Sequence, residues 1–124
     1  MPPKAQAGGG ARSRCPYFHA AVELIGRRWT GAIVEVLLQE PEPRRFGEIA
    51  TAIPELSDRL LSQRLKDLEA HGIVERHLEA GRGGHPEYAL TPMGRSLEPA
   101  VRELKAWGRA WLDREDGDFR PRGQ

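Results

Sequence analysis

Six side chains able to form hydrogen bonds, Ser57, Asp58, Arg59, Ser62, Gln63 and Lys66, fall within one short stretch of the chain. An arginine fork can bond both acceptors of a guanine, a glutamine amide can pair with adenine, and a carboxylate can accept from cytosine. Serine and lysine can reach a phosphate or a base edge. On a helix, Leu61, Leu65 and Leu68 form one stripe and the polar residues occupy the other side. Water alone selects such a face on many amphipathic helices, so its meaning depends on its neighbours. A second candidate is Cys15, four residues before His19. A protonated imidazole and a helix N-terminus would both favour its thiolate, which makes it a candidate redox or electrophile sensor, although a single cysteine also serves as a small apolar residue. Cys15 and His19 lack a third orienting group, and His71, His77 and His85 lack the cysteine partners and paired spacing of a zinc site. The expectation is therefore no catalytic constellation, no metal and no cofactor.

The elements that position these groups follow from periodicity and punctuation. Phe18, Val22, Ile25 and Trp29 recur at helical spacing, with Gly26 either allowing close packing or marking an early end. Thr30 reads as the N-cap of a second helix carrying Ile33, Val34, Leu37 and Leu38, stopped by Pro41 and Pro43. Phe46, Ile49 and Ile53 mark a short third helix that must finish near Ala52, ahead of Pro54. Ser57 caps the most regular helix of the chain, and Gly72 closes it. Ile73, Val74, Arg76 and Leu78 then read as a strand, and Glu87, Tyr88, Ala89 and Leu90 as a second, alternating one. Between them Ala80-Gly81-Arg82-Gly83-Gly84-His85 makes a glycine-rich hairpin tip, from which Arg82 can approach a minor groove or a phosphate. Thr91-Pro92 restarts a helix, which Pro99 divides before it runs on to Leu112.

A short helix, a tight turn, a long amphipathic helix and a β-hairpin follow one another in the order of a winged helix-turn-helix. The expected fold class is mainly α with a small antiparallel hairpin. Residues 15–112 read as the folded unit, 1–14 as a disordered Pro-, Gly- and Ala-rich tail, and 113–124 as a flexible tail. The 124 residues suit one domain, and a formal net charge of +1 makes any case for nucleic acid a local one. A single cysteine and the lack of a signal-like or membrane-spanning run point to the cytoplasm and to no membrane association.

At this level the chain resembles the HxlR-type transcriptional regulators, winged-helix relatives of the MarR group. The resemblance rests on Cys15-Pro16, Ile25-Gly26-Arg27-Arg28-Trp29, Arg45-Phe46-Gly47-Glu48-Ile49 and Ile53-Pro54-Glu55-Leu56-Ser57. It continues through Leu65-Lys66-Asp67-Leu68-Glu69-Ala70-His71-Gly72-Ile73-Val74, the stretch from Glu87-Tyr88 through Thr91-Pro92-Met93-Gly94 to Leu97, and Trp107. The wing, with Gly81, Gly83 and Gly84 around Arg82, is richer in glycine than the family pattern. The resemblance implies a dimeric DNA-binding repressor or activator whose first and last helices pair with a second subunit. It also implies sensing of oxidants or reactive carbonyls at a cysteine in the position of Cys15.

Independent support for a partner chain comes from Val101, Leu104, Trp107, Trp111 and Leu112, which spread beyond one narrow stripe. A symmetric homodimer would cover them together with Phe18 and Val22. A broad face packed on the first helix of the same chain is the simpler alternative. The reading is thus a homodimer on a near-palindromic duplex, controlled by modification of Cys15 or by a small-molecule ligand, with Arg59, Ser62 and Gln63 reading bases beside Asp58. Ser57, Lys66 and Arg82 anchor to phosphate or minor groove, and Arg44 or Arg45 contacts phosphate. The alternative is a winged-helix module that uses the same face to bind a protein without DNA.

Overall fold

The structure is a computed structural model that describes residues 13–78, 84–115 and 118–121. Helix α1 (Pro16–Ile25) is opened by Cys15, whose Sγ accepts the Phe18 N–H at 3.4 Å, with Pro16 preset at its first position. It stops at Gly26, whose N–H bonds the Val22 carbonyl; a Cβ there would lie 2.6 Å from that same oxygen, so only glycine closes the helix this way. Trp29 therefore falls outside α1 and does not extend its stripe. Phe18 and Val22, expected on a buried face, are exposed, and α1 contributes no buried residue at all.

Trp29 instead caps helix α2 (Thr30–Leu38) with φ 74°, a left-handed conformation that costs a bulky residue on the order of 1–3 kcal/mol. Thr30, expected as the cap, is the first helical residue and is buried. The burial of Ile33, Val34, Val36 and Leu37 beneath it holds the turn in place. Strand β1 (Arg44–Arg45) has no signature in the sequence, because two arginines carry no apolar alternation. It leads directly into helix α3 (Phe46–Ala52), where the Glu48 carboxylate accepts the Arg45 N–H at 2.9 Å.

Helix α4 (Asp58–Ala70) begins as the sequence dictates: Ser57 Oγ accepts the Leu60 N–H at 3.1 Å. Leu61, Leu65 and Leu68 are buried, and Gly72 follows with φ 79°. Strands β2 (Val74–His77) and β3 (Glu87–Leu90) form the hairpin, and β1 joins the far side of β3 to give an antiparallel sheet in the order β1-β3-β2. Arg44 lies opposite Tyr88, and Val74 opposite Leu90. All four residues of the central strand are buried, so the alternation expected of Glu87 to Leu90 does not appear as one wet face.

Thr91 Oγ1 accepts the Gly94 N–H to start the single turn α5 (Pro92–Arg95) and donates to the Gly72 carbonyl at 2.6 Å, tying that turn to the end of α4. Helix α6 (Glu98–Trp111) starts with Pro99 in its first turn, as the proline spacing predicts. It buries no residue fully, and its Val101 is half-buried against the chain's own core. Beyond it, where the sequence reading puts a flexible tail, β4 (Leu112–Glu115) and β5 (Asp118–Pro121) pair antiparallel. Arg114 lies over the Phe119 ring at 5.8 Å, a cross-strand contact that composition does not announce.

Candidate nucleic-acid interface

Ile53 and Leu56 are buried in the turn between α3 and α4, and the Leu56 N–H bonds the Ile53 carbonyl at 3.0 Å. This turn fixes the angle between the two helices, and the leucine stripe of α4 fixes its rotation. At about 100° per residue, Arg59, Ser62, Gln63 and Lys66 then share an arc roughly 100° wide, opposite those leucines. Arg59, Gln63 and Lys66 are exposed and Ser62 is half-buried. The structure thus brings the four expected contact residues onto one outward face.

Ser57, the N-cap, and Asp58, the first helical residue, are both exposed, but at about 100° per residue Asp58 falls roughly 40° outside that arc, toward the leucine stripe. The Ser57 oxygen already accepts a helix N–H, which leaves its hydroxyl hydrogen for a partner. Asp58 sits in the first turn, where the helix dipole favours its charge. It would repel phosphate and can act only as an acceptor, as toward a cytosine amine.

One flank of α4 meets the wing strands across a groove of about 230 Å³, lined by Ser62, Lys66, Glu69, Arg76 and Tyr88. Arg76 is exposed on β2 opposite Tyr88, so a second cation lines this groove with Lys66. Arg76, expected as a strand residue, lies two residues after the buried Val74 and nearer the hairpin tip. Arg82, expected at that tip, lies outside the described residues.

Arg44 and Arg45 occupy a second, wider groove of about 660 Å³ between the start of α3 and the returning strand, which His85 also lines. Both arginines are half-buried, and Arg44 Nε lies 3.9 Å from the Glu48 carboxylate. They form strand β1, directly ahead of α3. Cys15 is an exposed free thiol at the start of α1. His71 Nδ1 lies 2.8 Å from the Asp67 carbonyl at the end of α4, consistent with a helix-terminal role. Among the described residues no group of His, Cys, Asp and Glu could hold a metal ion, and no helix is long and apolar enough to cross a membrane.

Residues 24–116 match the HxlR-like helix-turn-helix family. The HTH-type transcriptional regulator YvaP of Bacillus subtilis is 41% identical over 99 residues, covering 80% of this chain and 90% of YvaP. The quinone-bound structure of YodB from B. subtilis superposes with a TM-score of 0.67 at 38% identity, covering 79% of this chain and 100% of that one. The oxidized form of the redox regulator HypR superposes with a TM-score of 0.70 at 34% identity, covering 82% and 99%.

Proposed function

The chain belongs to the HxlR-like helix-turn-helix family of transcriptional regulators, and from that premise we propose that it binds a near-palindromic duplex as a homodimer under control of Cys15. The observation that carries the DNA reading is the outward face of α4: Arg59, Ser62, Gln63 and Lys66 in one arc, flanked by Arg76 on the wing. Arg59, Ser62 and Gln63 read base edges, with Asp58 beside them. Lys66, Ser57, Arg76 and Arg82 anchor the backbone or minor groove, and Arg44 and Arg45 contact phosphate at the border of the wing. Two such faces enter successive major grooves one turn, about 34 Å, or a multiple of it apart.

Pairing in this reading runs through α1 and α6. Tyr17, Phe18 and Val22 on one and Leu104, Trp107 and Trp111 on the other are large apolar side chains left in water by the single chain. A two-fold partner would cover both sets at once. Cys15 opens α1 as an exposed thiol, and of two relatives of the same fold one, YodB, is described as quinone-bound and the other, HypR, as a redox regulator in its oxidized form. A quinone would take the Cys15 sulfur on a ring carbon; the thiol proton passes to one quinone oxygen and the hydrogen of the attacked carbon to the other, which leaves a hydroquinone thioether. A two-electron oxidant would instead join the two Cys15 thiols of a dimer and accept their protons. The site of action is the cytoplasm, and no enzymatic turnover is part of the reading.

The test is selection of bound duplexes from a random pool, followed by titration of the recovered sequence against salt. A palindrome with half-sites near one turn apart, and affinity that falls steeply with salt, is the expected result. Recovery of no consensus, with affinity indifferent to salt, would favour a protein-binding module instead. Mass measurement without reductant after mild oxidant or quinone treatment tests Cys15; an unmodified thiol with unchanged DNA binding removes it from the mechanism.

A further inference from the structure

The flank of α4 that faces away from the wing carries a different set of groups. Arg64 Nε donates to the Arg28 carbonyl at 3.0 Å, across 36 residues of chain, and its Nη1 lies 3.4 Å from the Asp67 carboxylate. Arg27 Nη1 approaches that same carboxylate oxygen at 3.4 Å from the other side. The Arg64 side chain is only 13% exposed, so this cation of the recognition helix is turned away from DNA.

The target of this cluster is the elbow between α1 and α2. Three successive carbonyls there have partners: Arg27 accepts from Thr30 N–H, Trp29 accepts from Ile33 N–H, and Arg28 accepts from Arg64. Only the Arg28 bond comes from another element of the fold. Trp29, at the apex, has φ 74° and half-buries its ring against the core, with Arg28 over it at 5.5 Å. Among the described residues, helix α1 meets the core only through its last turn, where Leu24 and Ile25 are half-buried. Its direction is therefore set by the elbow, and the elbow is tied to the recognition helix.

We infer that Arg64 and Asp67 are positioning residues that clamp the elbow to α4 and so fix the angle between the recognition helix and α1. The inference rests on the proposed dimer: where α1 pairs with a second copy, that angle sets the distance between the two reading faces. Stability alone would be served as well by apolar side chains at these places. An arginine fork aimed at one backbone carbonyl and held by a carboxylate specifies geometry.

The experiment uses the full chain and the palindrome recovered by selection. Companion duplexes have one or two base pairs inserted or deleted at the centre, and another holds a single half-site. The wild-type chain is expected to prefer one spacing. Arg64→Ala and Asp67→Asn are expected to lose about tenfold on that spacing, as a charge-assisted hydrogen bond is worth. Their losses on the altered spacings should be smaller, so the profile flattens, while single half-site affinity stays within about twofold. Arg64→Lys, which keeps the charge and loses the fork, should fall between. Arg27→Ala removes a half-exposed group, leaves the fold intact and should flatten the profile to a lesser degree. Folded variants that keep the wild-type profile, or that lose half-site binding in equal proportion, overturn the clamp. A wild-type chain indifferent to spacing overturns the paired reading beneath it, and that result is distinct from either.

Discussion

Helix α4 and the terminal helices α1 and α6 are all amphipathic, yet they meet different fates within one chain. Helix α4 buries Leu61, Leu65 and Leu68, whereas α1 and α6 bury no residue and leave Phe18, Trp107 and Trp111 more than half exposed. The apolar stripe of α4 meets the sheet and the other helices of the same chain; much of that on the terminal helices meets nothing. A hydrophobic face therefore marks a surface that must be covered, while the tertiary arrangement decides whether the cover is internal. The proposed homodimer is the external cover.

The sharpest way to break this contrast is to truncate one residue from each region. Leu65→Ala should cost about 2–5 kcal/mol of stability in urea denaturation, because a well-packed site loses both transfer energy and packing. Trp107→Ala should leave the fold by circular dichroism and shift the monomer–dimer equilibrium in sedimentation; an unchanged association state would mean that α6 is not covered by a second chain. Next in size is the outward face of α4. Arg59→Ala is expected to lose about 1–3 kcal/mol on the cognate duplex and to relax preference at one base pair, measured by anisotropy against mutated sites.

Ser57→Ala should cost about 1 kcal/mol in thermal melting by removing the cap, and Ser57→Asp should restore most of it. A smaller effect is reserved for the link between the two regions. Lys105 Nζ lies 2.9 Å from the Glu35 carboxylate, tying α6 to α2, but both side chains are partly in water. Lys105→Ala should therefore change stability by about 0–1 kcal/mol and leave assembly intact. A large effect there would show that α6 is held by its own chain more firmly than its exposed aromatics suggest.

Most of the reading element was legible in the sequence. Ser57 as cap, the leucine stripe, Gly72 as terminator and the polar arc from Arg59 to Lys66 are all short-range consequences of helical spacing. Less legible were features whose cause lies far away in the chain. Strand β1 exists because Arg44 and Arg45 meet β3, not because arginines favour strands. Residues 87–90 are buried throughout because β3 is central to the sheet. Trp29 fits the spacing of the first helix, but Gly26 ends that helix and the core beneath α2 holds Trp29 in a left-handed turn.

Arg59 and Arg64 state the division most clearly. Sequence by itself determined that both lie on one helix, five residues apart, with the leucines setting which side faces inward, because helical periodicity is a local geometric rule. Only the tertiary structure decided that Arg64 is held by a carbonyl 36 residues away. A hydrogen bond is directional and short, so its partner appears only once the fold has brought the elbow to the helix.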